Sequence, residues 1–123
     1  MHPPKKNTKK VGDKGEQIAV DFLTANNYKI LERNFRSGKS EIDIIGKKKD
    51  FIIFFEVKSR SQHQNNNPGD LLSNAQQNRI VNAAHDYIVE KDLDLEARFD
   101  LIVVLLDKSN SVEHIEDAFY ATR

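Results

Sequence analysis

The 123-residue chain contains no cysteine. That excludes a disulfide framework and any thiolate metal site, and it is compatible with a reducing cytoplasm, the expected location. No hydrophobic run approaches the ~20 residues of a membrane-spanning helix, so no membrane partner is expected. The opening stretch MHPPKKNTKK is charged with no apolar segment behind it, unlike a signal peptide. Internal repeats, glycine-rich phosphate loops and zinc-ligand spacings are all missing. Net charge is missing too, because 19 Lys and Arg balance 19 Asp and Glu. The whole protein is therefore not a basic coat for nucleic acid.

The zero hides an asymmetry. Residues 1–60 hold 14 Lys and Arg against 8 Asp and Glu, a balance of +6, and residues 61–123 hold 5 against 11, a balance of −6. A phosphate-binding face in the first half is one reading of this. Mutual attraction of the halves, or plain solvation of the lysines, is the other. With 38% hydrophobic and 31% charged residues, the length suits one domain, residues 12–120, behind a polar, basic arm at 1–11 expected to be disordered.

The chain is organised around Glu41 to Arg60, EIDIIGKKKDFIIFFEVKSR. Phe51 to Phe55 is a short, continuous apolar run, which suits a strand buried on both faces. It ends in Glu56-Val57-Lys58, where alternation puts Glu56 and Lys58 on one face. Glu41-Ile42-Asp43-Ile44 alternates acid and apolar, which predicts a half-buried strand with Glu41 and Asp43 on one face. Gly46 to Asp50 reads as the turn of the hairpin. Burying a carboxylate is costly without a cation, metal or donor. An acid–X–lysine at the end of a buried strand, beside an aspartate on its neighbour, is a candidate metal and phosphate site.

Around this hairpin the pattern predicts a helix from Gly12-Asp13 to about Asn26, a strand over 28–35 and a turn over 36–40. A mobile polar loop over 61–70 follows, then a helix from Ser73 to about Lys91 and strands over 98–106 and 112–119. In the first helix Glu16 leans toward the apolar side. It is either the second member of a capping box begun by Asp13 or an acid turned toward the site. Gln76 has the same ambiguity, since Ser73-x-x-Gln76 is also a capping box. His63 in the loop and His114 in the last strand read as surface residues. The order α-β-β-β-α-β-β makes an α/β sandwich around a mixed sheet of about five strands flanked by helices.

Several segments together resemble the YraN-like family of predicted endonucleases within the PD-(D/E)xK nuclease superfamily. They are Gly15-Glu16, Arg33-Asn34-Phe35-Arg36, Glu41-Ile42-Asp43-Ile44-Ile45, Phe55-Glu56-Val57-Lys58-Ser59-Arg60, Arg79 and Arg98-Phe99-Asp100. The resemblance implies a restriction-endonuclease-like fold and a metal-dependent endodeoxyribonuclease, with branched or junction DNA as substrate. Asp43, Glu56 and Lys58 are the motif residues it implies, and Glu16 matches the helix acid of similar Holliday-junction resolvases. Asp43, Glu56 and Glu16 would then hold Mg2+ or Mn2+. Arg33, Arg36, Lys39, Arg60, Gln76 and Arg79 would contact nucleic acid, DNA ahead of RNA, and a homodimer is compatible with this. Two positions depart from the family pattern: Ser40 stands where glycine is usual, and Gln76 stands where a lysine is usual. The alternative is a nucleic-acid-binding or interaction module that does not cleave, its acids and Lys58 forming a structural ion-pair cluster.

Overall fold

A computed structural model of the chain describes residues 3–61 and 68–120. The elements in order are α1 (Pro3–Ala25), β1 (Lys29–Ser37), β2 (Ser40–Lys48), β3 (Phe51–Arg60), α2 (Pro68–Leu71), α3 (Asn74–Lys91), β4 (Glu96–Leu105) and β5 (Val112–Phe119). The strands form one five-stranded sheet in the order β1-β2-β3-β4-β5. All neighbours are antiparallel except β3 and β4, which run parallel. A parallel pair needs a long crossover, and α3 provides it.

β3 is central and buried on both faces, as its apolar run predicts. Ile52 and Phe54 join the core under α3, where Ile80, Ala83, Ala84 and Tyr87 pack down on the sheet. Ile53 and Phe55 join the opposite core, with Ala19 and Leu23 of α1. The mixed α/β sandwich and its element order are thus as expected.

Four local expectations change. α1 begins at Pro3, ahead of the start expected at Gly12-Asp13. Prolines in a first turn forgo only N–H groups that have no helical partner, and lysines are good helix formers. Asp13 and Glu16 therefore lie well inside the helix, and the capping box they would have formed does not exist. Gly46 to Lys48 belongs to β2, leaving only Lys49 and Asp50 between paired Lys48 and Phe51. Pro68–Leu71 forms a helical turn within the expected loop. His63 lies outside the described residues.

The fourth change concerns β2. Ile42 packs in the α3-side core and Ile44 in the α1-side core. Two residues apart on a regular strand, they would share a face. The strand turns over at Asp43, opposite Asn34 of β1, whose backbone is left-handed (φ 54°). The simple alternation expected of Glu41 to Ile44 is broken at the candidate aspartate.

Candidate active site

The site forms where the sheet opens. Backbone pairing of β2 with β3 ends at Ile44↔Phe55. β3 stays paired with β4 as far as Arg60↔Leu105, so Glu56 to Arg60 has a strand neighbour on one side only. Asp43 fills the gap: the Val57 N–H donates to its Oδ2 at 2.8 Å. A side chain thus replaces the next rung of the ladder, and Asp43 is drawn to the start of the E-x-K triplet. The sequence pattern leaves the register open, since a one-residue slip would send Asp43 to the other face. In the structure Asp43 and Glu56 meet, joined by a side-chain hydrogen bond.

Two carboxyl groups in contact cannot both ionise cheaply. Burial, then the neighbouring Asp43 charge, pushes Glu56 up to about 8, against the pull of Lys58. Burial also raises Asp43, although the hydrogen bonds from Val57 and Glu56 act in the other direction. Near neutral pH Glu56 therefore carries the proton and donates it to Asp43. Lys58 Nζ stands 3.8 Å from Glu56 Oε2, half-buried, on the same edge.

Glu16 reaches this neighbourhood from α1. Gly15 is buried against Ser59 of β3, and a Cβ at position 15 would overlap the Ser59 hydroxyl. Only glycine lets the helix lie this close to the strand. Burial and the negative charge of Asp43 raise the Glu16 pKa, while Arg33 and Asn34 oppose the shift. Glu16 is held by Arg33, whose Nη2 lies 3.6 Å from Oε1, and Arg33 Nη1 donates to Gln17 Oε1 at 3.0 Å. Asp43, Glu56 and Lys58 are therefore brought together, and Glu16 stands beside them in an ion pair of its own. Among the described residues no three His, Asp or Glu side chains form a ready-made metal-ligand set.

The remaining candidates spread around this edge. Lys39, Gln76 and Arg79 line a cleft of about 170 Å3 with Glu41, Glu56 and Ile80. Gln76 forms the capping box with Ser73 and is also one of the residues lining the cleft. Its Oε1 accepts from Ser73 N–H at 2.9 Å, its own N–H donates to Ser73 Oγ at 3.1 Å, and Glu56 lines the same cleft. Arg36 is exposed and makes a 3.9 Å pair with Glu41. Arg60 lies half-buried at the end of β3.

The model of the uncharacterised protein family UPF0102 matches residues 15–104. The chain belongs to that family. UPF0102 proteins of Christiangramia forsetii and Flavobacterium psychrophilum are 42% and 41% identical over 111 residues, covering 89% of this chain and 93% of each relative. A UPF0102 protein of Clostridium botulinum is 43% identical over 116 residues, covering 90% of this chain and 94% of the relative. The YraN-like resemblance thus holds at the level of the family. The matched segment of UPF0102 runs from Gly15, against Ser59, to Val104 and takes in every residue of the site.

A second charged cluster joins Arg98 and Asp100, inside the UPF0102 segment, to His114 and Asp117, which lie beyond it. Asp100 of β4 is completely buried. Arg98 binds it through Nε at 2.9 Å and Nη2 at 2.8 Å, His114 Nε2 lies at 2.6 Å, and the Asp117 N–H donates at 3.1 Å. Arg98 Nη2 also donates to Tyr28 Oη at 3.0 Å. Burial works against ionisation of Asp100, but His114 and Arg98 outweigh it and hold the carboxyl below its usual range. His114, expected at the surface, is tucked among the rings of Phe22, Tyr28 and Phe55. One signal was available: an acid inside an apolar strand needs a partner, and Arg98 is two residues away on the same face. This cluster fastens β5 at the irregularity between Phe99 and Leu101. No helix among the described residues is long and apolar enough to cross a membrane.

Proposed function

We propose that the protein is a divalent-metal-dependent endodeoxyribonuclease of the PD-(D/E)xK kind, acting on branched or junction DNA. One observation carries this: two half-buried carboxyl groups, Asp43 and Glu56, meet at the open end of β3, with the Val57 N–H on Asp43 and Lys58 on the same edge. Such a pair fits a hard divalent ion, which can replace the shared proton and relieve the repulsion. When bound, Mg2+ or Mn2+ supplies a Lewis acid for a phosphoryl oxygen and makes water a nucleophile at neutral pH.

The protein's own groups do the rest. Asp43 and Glu56 would hold the ion, and Asp43 is fixed in place by the Val57 N–H. Lys58 orients the attacking water or neutralises charge that develops on the phosphate. Arg33, Arg36, Lys39, Arg60, Gln76 and Arg79 supply contacts along the strand that carry no sequence information.

A second reading has an observation in its favour. Glu56 and Glu16 already have protein cations, Lys58 and Arg33, as a purely structural cluster in a binding module would. The decisive assay is cleavage of linear, nicked, flapped and four-way DNA with Mg2+ or Mn2+ against EDTA. Lys58→Ala is expected to slow cleavage ~10²–10³-fold, the scale of one lost transition-state donor. Calorimetry with Mn2+ on the wild type and on Asp43→Ala separates a metal site from an ion-pair cluster. No cleavage and no Mn2+ heat would leave the binding module.

A further inference from the structure

The acid that would complete a three-carboxylate site is not free. Glu16 lies close enough to Asp43 for the two charges to be felt, yet its nearest cation is Arg33 at 3.6 Å. Arg33 is 38% exposed and Glu16 only 14%. The guanidinium thus sits toward solvent with the carboxylate behind it. Gln17, through its 3.0 Å hydrogen bond, holds Arg33 over the helix. Glu16 rides on α1, which Gly15 seats directly against β3, so Glu16 stays at the site whether or not Arg33 holds it.

We propose that Arg33 couples nucleic-acid binding to metal binding: it holds Glu16 in the free protein, and a backbone phosphate that takes Arg33 releases Glu16 to the Asp43–Glu56 pair. The proposal rests on the metal site described above and adds its regulation. A phosphate is a strong competitor for a guanidinium, because it accepts two parallel charge-assisted hydrogen bonds where the 3.6 Å contact makes none of ideal length. Once released, Glu16 is an unpaired anion beside two acids. That arrangement is unfavourable without a cation and favourable with one. The third ligand is therefore armed by substrate. Linkage is reciprocal, so metal must tighten nucleic acid by the factor by which nucleic acid tightens metal.

The test uses the full chain and Ca2+ as a hard, oxygen-seeking probe. Ca2+ is titrated calorimetrically into the wild type, Arg33→Gln and Glu16→Gln, each alone and with a bound DNA duplex, and melting curves check that every variant is folded. DNA is expected to tighten Ca2+ on the wild type on the order of 10-fold, within the usual range of couplings. Arg33→Gln alone should already bind Ca2+ as tightly as the wild type does with DNA, and DNA should add nothing. Glu16→Gln should bind weakly in both states. A gain that persists in Glu16→Gln would come from the phosphate as a ligand in its own right, and would overturn the proposal. So would Arg33→Gln binding Ca2+ no more tightly than the wild type without DNA, while the metal site itself would stand. A wild type that binds no divalent ion would remove the metal site and the coupling together.

Discussion

A carboxyl group half-buried beside another can keep a proton, find a cation or bind a metal, and at Glu56 burial and Asp43 favour the proton even with Lys58 3.8 Å away. Its pKa is about 8 in the folded protein against 4.5 as the ordinary value. Between those values the folded state binds more protons than the unfolded one. The contribution of Glu56 to stability is therefore full below pH ~4.5, falls as pH rises through the window, and levels off above ~8. Melting curves of the metal-free protein should show this decline, and saturating Mg2+ or Mn2+ should flatten it. At a free ion concentration ~100 times Kd the gain is about 2.7 kcal/mol. Asp43→Asn keeps the shape and removes one charge. It should be at least as stable as the wild type without metal, lose most of the slope, and lose most of the metal-induced gain. Marked destabilisation of this variant, with metal inert on both proteins, would favour the structural-cluster reading.

At the scale of elements, the closest approach is α1 on β3 at Gly15 and Ser59. Intrinsic propensity argues that Gly15→Ala should stabilise a helix interior by ~1 kcal/mol. Overpacking argues the opposite, at ~1–3 kcal/mol. Because the added Cβ would overlap the Ser59 hydroxyl, overpacking should win. Gly15→Ala should melt lower and lose part of its metal-induced gain, and Ser59→Gly in the same chain should restore both. If Gly15→Ala alone melts at or above the wild type, the contact is not tight. Much of the element order was legible because it rests on local patterns: the apolar run of β3, and the Ser73–Gln76 box that opens α3. The inversion of β2 at Asp43 was not legible. Its composition alternates like any half-buried strand, and only the pairing with β1 and the gap at Val57 force the turn-over. The shielding of Glu16 by Arg33 was hidden for the same reason, since 17 positions separate them in sequence.

At the scale of the molecule, the basic first half and the acidic second half meet at the β3–β4 ladder, with α1 packed on β1, β3, β4 and β5. The parallel join has a consequence for synthesis. β3 ends at Arg60 and β4 begins at Glu96. The intervening 35 residues take roughly 2 to 7 seconds to translate at ~5–20 residues per second. Through that interval the apolar edge of Phe51 to Phe55 has no neighbour on the β4 side, and an open, apolar edge invites pairing with another chain. A chain ending at Leu95 should therefore aggregate, and a soluble, monomeric, folded product would contradict this. Charges flank the run on both sides, Lys47 to Lys49 before it and Glu56, Lys58 and Arg60 after it, in the positions where gatekeeper residues suppress such pairing. The residues proposed for the active site would thus also guard the nascent strand until β4 arrives to cover it.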